Sequence, residues 1–200
     1  MSTQYAAPVK DFARGAVGSV SITDAQLIAL ARESQGQAIE ALYSAYKSRI
    51  YTFILRLLGE PEVADDITQD VFTKAYQALD TLTKDHKVLP WLYRIAHNAA
   101  IDHTRRRKRI KWLPVSGLLG TREEPEVTGG QSAVPERDQV HAILKDMPVE
   151  SVTALLLHAL EGYTYREIAE IQGSTLPAVR SRIARARQAF RDAYETKESS

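Results

Sequence analysis

The densest chemical signal in the chain is a set of polar residues within the segment 175–187. Arg180, Ser181, Arg182, Arg185 and Arg187 alternate there with Leu176, Val179, Ile183 and Ala186. The apolar members recur three or four residues apart, the spacing of one buried face of a helix. The arginines must then project from its other sides. A guanidinium fork grips phosphate oxygens or pairs bidentately with a guanine edge. On a bare amphipathic helix such residues would read as a solvated face. Here a short helix precedes them, carrying Tyr165, Arg166, Glu167, Ile168 and Ala169, and a break follows at Gln172, Gly173 and Ser174. Two short helices around a Gly-containing turn form a helix-turn-helix, whose second helix enters the DNA major groove. Thr175, at the entry to that helix, joins the candidate DNA contacts.

A second basic set lies at 105–111, where Arg105, Arg106, Arg107, Lys108, Arg109 and Lys111 crowd together. These cations repel one another, which a polyanion would relieve. Trp91, Tyr93, Arg94 and Asn98 precede them on the same predicted helix. Cations hold phosphates and aromatic faces stack on bases, so the segment suits a nucleic-acid strand. Trp91 and Tyr93, each taken alone, also read as core residues. A third set, Asp65, Asp66, Gln69 and Asp70, faces outward from a helix opened by Pro61. Without a partner it would be a solvated acidic face near a positive helix N-terminus.

Catalytic constellations are missing. There is no phosphate-cradling G-x-x-x-x-G-K-[ST] loop and no G-x-S-x-G elbow. His86, His97, His103, His141 and His158 show no i, i+4 pairing for a metal, and the adjacent Asp65 and Asp66 diverge on a helix. No enzyme activity, metal or cofactor is expected. Zero cysteines exclude disulfides and Cys-based zinc sites. The first 20 residues lack a long apolar run, so neither a signal peptide nor a membrane span is expected, which points to the cytoplasm. Lys and Arg total 26 against 25 Asp and Glu, a net charge of +1 that hides strong segregation. Acid gathers at 60–70 and 123–126, base at 105–111 and 180–191, and the local field matters more than the sum.

The elements that must position these groups are all helical. Residues 1–22 read as a flexible tail. Thr23 is the expected N-cap for a helix with Leu27, Ile28, Leu30 and Ala31. A longer helix at about 37–58 carries Leu42, Tyr43, Tyr46, Ile50, Phe53 and Ile54, and Gly59 ends it. The helix from Pro61 buries Val63, Ile67, Val71, Ala75 and Leu79. On the helix from Pro90, the periodicity turns Leu92, Ile95, Ala99 and Ile101 inward. Gly and Pro punctuate 113–134, a mildly acidic linker. Helices resume near Glu136 with Val140, Ile143 and Leu144, break at Met147-Pro148, continue through Val152, Leu155, Leu156 and Leu160, and fray after Glu195. The expectation is an all-α chain of two small helical domains: 23–112, and a helix-turn-helix domain at 135–196.

Four motifs in order give this chain a family resemblance. They are Asp65-Asp66-x-x-Gln69-Asp70-Val71-Phe72; Trp91-Leu92-Tyr93-Arg94-Ile95-Ala96-x-Asn98; Asp102 with the Arg run; and Tyr165-x-Glu167-Ile168-Ala169 followed by Val179-Arg180-Ser181-Arg182-Ile183-x-Arg185-Ala186-Arg187. Together they resemble the extracytoplasmic-function sigma factors of bacterial transcription initiation, over roughly residues 24–195. The resemblance implies docking of core RNA polymerase, through the clamp helices of its largest subunit, on Asp65, Asp66, Gln69, Asp70 and Phe72. It implies capture of the minus-ten non-template strand by Trp91, Tyr93, Arg94, Asn98, Arg105, Arg106, Arg107 and Arg109, with Asn98 near a flipped-base pocket. It implies reading of the minus-thirty-five duplex by Arg180, Ser181 and Arg185, with Arg182 and Arg187 on phosphates, and contact with the polymerase flap. It also implies a masking anti-sigma factor. Three departures stand out: Thr175-Leu176-Pro177-Ala178 opens the recognition helix, Gln172 stands where an apolar residue is commoner, and 149–153 lacks the usual Gln-Arg. Two other readings compete. A stand-alone helix-turn-helix regulator of duplex operators would need only 135–196, and a polymerase adaptor or decoy would need only the acidic motif.

Overall fold

The computed structural model describes residues 22–112, 142–144 and 146–198; residues 1–21, the linker and Val140 lie outside these, and Ile22, expected in the tail, is half-buried against the core instead. The described residues form helices and turns, with no strand. The N-terminal half holds α1 (Asp24–Glu33), α2 (Gln35–Leu58), α3 (Pro61–Ala78), a single 3-10 turn (Leu79–Thr81) and α4 (Val88–Trp112). After the short helical piece at 142–144 come α5 (Val149–Ala159), α6 (Tyr165–Ile171) and α7 (Leu176–Glu198). The last helix runs past Glu195, where fraying was expected.

Local chemistry sets most boundaries. Thr23 opens α1 with a full capping box: its side chain accepts from the Gln26 N–H, and the Gln26 side chain accepts from the Thr23 N–H. Ser34 both ends α1 and caps α2, so the second helix starts at Gln35, two residues earlier than its periodicity predicts. Gly59 closes α2 at φ 80°, a left-handed conformation that costs glycine nothing. Pro61 sits in the first turn of α3, where its missing N–H is no loss.

Helices α1 to α4 pack around Leu42, Ile50, Ile54, Val71, Leu79 and Leu92, all essentially inaccessible to water. Burying each such side chain is worth about 1.5–3 kcal/mol, which outweighs any capping contribution. A second set, Val152, Leu157, Ile168, Val179 and Ile183, joins α5, α6 and α7. The two sets form one continuous cluster, because α5 packs on α2 and α4, and α6 packs on α4.

That junction has its own chemistry. Arg49 on α2 donates from Nε (2.9 Å) and Nη2 (2.5 Å) to one carboxylate oxygen of Glu161, which follows α5. The same Nε lies 3.2 Å from the Tyr93 hydroxyl. Tyr93 meets Phe53 of its own half and Tyr163 of the other edge-on, at ring separations of 4.9 and 5.9 Å. Such aromatic pairs contribute about 0.5–1.5 kcal/mol each beyond the area they bury. His97 Nδ1 lies 3.1 Å from the Thr153 hydroxyl, and both side chains are buried. Lys87 pairs loosely with Glu167 at 3.6 Å.

Candidate nucleic-acid and polymerase interface

Helix α4 is covered on one side and open on the other. One turn per 3.6 residues aligns Trp91, Arg94, Asn98, Arg105 and Arg109 along one stripe. Trp91 is half-buried and the other four are exposed. The open side thus presents one aromatic body, one amide and three guanidiniums in line, with the exposed Asp102 carboxylate between Asn98 and Arg105, and its excess of cations suits a single strand held by its phosphates and stacked at one end.

The remaining α4 candidates lie off this stripe. Tyr93 is fully buried, with its hydroxyl engaged by Arg49. Burial and the neighbouring Glu161 carboxylate hold its phenol far above the usual tyrosine range, so it stays neutral. Arg106 turns back toward the Asp102 carbonyl at 3.4 Å, and Arg107 pairs with Glu60. Periodicity pointed Leu92, Ile95, Ala99 and Ile101 inward. The buried set is Leu92, Tyr93, Ala96, His97, Ala99 and Ala100, while Ile95 and Ile101 are half-buried. The core side is broader than the stripe predicted because α5 and α6 cover a second flank of the helix.

The acidic motif divides as well. Asp65, Asp66, Gln69 and Asp70 are exposed on α3, while Phe72 is buried. Phe72 packs edge-on against Tyr43, centroids 4.9 Å apart. Beside them runs an apolar groove of about 340 Å³, lined by Ile39, Tyr43, Gln69, Phe72, Thr73 and Tyr76. Tyr43 and Tyr76 are the large hydrophobic residues left exposed among the described residues. Residue type alone gave no reason to group Tyr43 and Tyr76 with the acids; only the packing of α2 on α3 does so. Asp65 lies on the Gln69 side of α3, within electrostatic reach of Lys47, and Lys47 sits 4.9 Å over the Tyr43 ring. Asp66 points elsewhere, within reach of His103.

In the C-terminal half, Thr164 caps α6 through a second capping box with Glu167. Its N–H and hydroxyl hold the Glu167 carboxyl below the usual range. Gly173, at φ 57°, makes the turn. Thr175 accepts from the Ala178 N–H at 3.3 Å and so caps the start of α7. Val179, Ile183 and Ala186 are buried under α7, and Arg180, Ser181, Arg185 and Arg187 stand exposed along its outer side. Arg182 differs. It is half-buried, and its Nη1 donates to Gln172 Oε1 (2.7 Å) and Ser174 Oγ (3.0 Å).

This is an all-helical protein with two exposed basic helix faces, one on α4 and one on the second helix of a helix-turn-helix. The family description "Sigma-70 region 2" matches residues 42–110, and "Sigma-70, region 4" matches 137–190. The RNA polymerase sigma-H factor of Pseudomonas aeruginosa is 34% identical over 185 residues, covering 86% of this chain and 94% of that protein. The ECF RNA polymerase sigma-E factor of Escherichia coli is 31% identical over 183 residues, with the same coverage. Among solved structures, CnrH in complex with the cytosolic domain of CnrY matches with a TM-score of 0.61 at 27% identity, over 86% of this chain and 97% of that one. The sigma factor RpoE of Bartonella quintana, in complex with the anti-sigma factor NepR, shares the fold with a TM-score of 0.62 at 19% identity, over 80% of this chain and 98% of that one. The chain belongs to the sigma-70 family, in its extracytoplasmic-function group. It is a transcription initiation factor that works with core RNA polymerase on promoter DNA. A stand-alone operator-binding regulator would have no use for the region 2 half that matches here. Among the described residues, no cluster of His, Asp or Glu is arranged for a metal, and no helix is long and apolar enough to cross a membrane.

Proposed function

We propose that the open stripe of α4 captures the non-template strand of the minus-ten element, and that the outer side of α7 reads the minus-thirty-five duplex. The observation that carries this reading is the alignment of Trp91, Arg94, Asn98, Arg105 and Arg109 on the uncovered side of α4. Asn98 supplies both an amide donor and an amide acceptor to an extruded base. Extruding that base costs a few kcal/mol of stacking, which the three arginines offset through phosphate contacts. Tyr93 supports the stripe from behind. On α7, Arg180, Ser181 and Arg185 face base edges, Arg187 holds phosphate, and Thr175 caps the helix at the groove entrance.

Core polymerase docks on the α3 face, where Asp65 and Gln69 border the groove floored by Phe72. Asp66 and Asp70 extend the same acidic field. The factor works in the cytoplasm, where polymerase and promoter are, and it catalyses no reaction of its own. Of the solved structures it resembles, the Bartonella quintana sigma factor is in complex with the anti-sigma factor NepR. We assign this chain a regulator of that kind, which masks one or more of these surfaces.

The test is run-off transcription by purified core polymerase across a promoter library, with the wild-type chain and with Asn98→Ala. Wild type should yield transcripts that share a two-part upstream motif. Asn98→Ala should lose promoter opening, read by permanganate reactivity of unpaired thymines, while polymerase docking is retained. Unchanged opening would sink the assignment of Asn98.

A further inference from the structure

We infer that Gln172 is a positioning residue, and that it makes Arg182 the clasp that sets the recognition helix on its domain rather than a grip on promoter phosphate. The inference rests on the reading of α7 as the promoter face.

Three hydrogen bonds build the clasp. Gln172 Nε2 donates to the Glu150 carbonyl in the first turn of α5, at 2.7 Å. Gln172 Oε1 accepts from Arg182 Nη1 at 2.7 Å, and Ser174 Oγ accepts from the same nitrogen at 3.0 Å. One amide side chain therefore ties α5 to α7 across the turn that separates α6 from α7. An apolar residue at 172 could make neither bond.

Helix geometry agrees with this role. Two positions along an α-helix from Arg180 carry Arg182 more than half a turn around, away from Arg180 and Ser181 and toward the flank of buried Val179, Ile183 and Ala186. Arg182 is half-buried there, whereas Arg180, Arg185 and Arg187 are exposed. Its charge reaches His97 on α4, on the side facing the N-terminal half. A guanidinium fixed by neutral acceptors on that flank is aimed away from the duplex. Fixing it also fixes the roll of α7, and the roll decides where Arg180, Ser181 and Arg185 meet the base edges.

The experiment measures binding of promoter duplex by holoenzyme assembled from full-length chain and core polymerase, at several salt concentrations. The duplex carries either the preferred minus-thirty-five element or single-base variants of it. The chain is wild type, Gln172→Leu, Arg182→Ala or Arg185→Ala. Gln172→Leu and Arg182→Ala should each reduce discrimination between these duplexes by about 2- to 10-fold, the range for a lost hydrogen bond. The salt slope with Arg182→Ala should equal that of wild type, because no phosphate contact is lost. A slope reduced by about 0.9 would make Arg182 a phosphate contact and overturn the clasp. Full discrimination in Gln172→Leu, even with a lowered melting temperature, would reduce Gln172 to a structural residue and overturn its role. Arg185→Ala separates the two levels. Loss there with none at Gln172 overturns the clasp alone, and no loss at either overturns the reading of α7 as the promoter face and the clasp with it.

Discussion

Helices α4 and α7 are both long, basic and amphipathic, yet they divide their residues differently. On α4 the open side is a narrow stripe, because protein covers the helix from two directions. Its own half packs on Leu92 and Ala96, and the C-terminal half packs near Tyr93 and His97. On α7 the back is buried along one line, Val179, Ile183 and Ala186, and the outer side stays broad. The strand reading proposed for α4 needs few contacts in a defined line, with rigid support behind them. The duplex reading proposed for α7 needs more room, a helix face wide enough to fill the major groove. The same composition therefore yields two surfaces, and the number of covered flanks separates them.

The largest expected effect tests the two-sided character of α4. Tyr93→Ala should cost about 3–5 kcal/mol of stability, as a fully buried aromatic does. Its neighbour Arg94→Ala, on the open stripe, should stay within about 0.5 kcal/mol. Denaturant midpoints of the two variants measure this, and equal costs would break the division into faces.

His97 gives the next effect. Burial pulls its imidazole down to about 4, with Glu150 acting against the shift and Arg182 with it. The unfolded chain binds that proton near pH 6.5, before the folded one does. Stability is therefore complete above that pH and falls as pH drops through 4, by about 3 kcal/mol if the shift is fully expressed. His97→Gln should flatten this part of the stability–pH curve. If the wild-type and variant curves run parallel from pH 7 to 4, the covered flank is open to water in solution.

The smaller effect falls on the broad face. Arg185→Ala should cost about 1–3 kcal/mol at one minus-thirty-five position if it reads a guanine bidentately. Stability should be nearly unchanged, since the side chain is exposed. A uniform loss across all sequences, with a reduced salt slope, would move Arg185 from base reading to phosphate contact.

Punctuation and periodicity revealed the fold because both act locally. Thr23 with Gln26 and Thr164 with Glu167 cap within four residues of sequence, and Gly59 and Pro61 break or start helices by their own backbone limits. The exposed arginines of α7 were legible for the same reason, since one helix and one buried line determine them. The site on α4 was only half legible. Periodicity found a core line, but a second line through Tyr93 and His97 depends on α5 and α6, whose contacts come from more than 50 residues away. The groove beside Phe72 depends likewise on how α2 lies across α3.

By itself the sequence determined an all-α chain, its two basic helices, the helix-turn-helix and the acidic helix, because helical period, caps and breakers are properties of neighbouring residues. The tertiary structure decided which candidates face outward. Tyr93 went to a buried hydroxyl contact, Arg107 to Glu60, and Arg182 to Gln172 and Ser174. The physical reason is that an arginine or tyrosine carries the same donors wherever it stands, and only the arrival of a distant acceptor or a covering helix decides whether they are spent inside the protein or left for a partner.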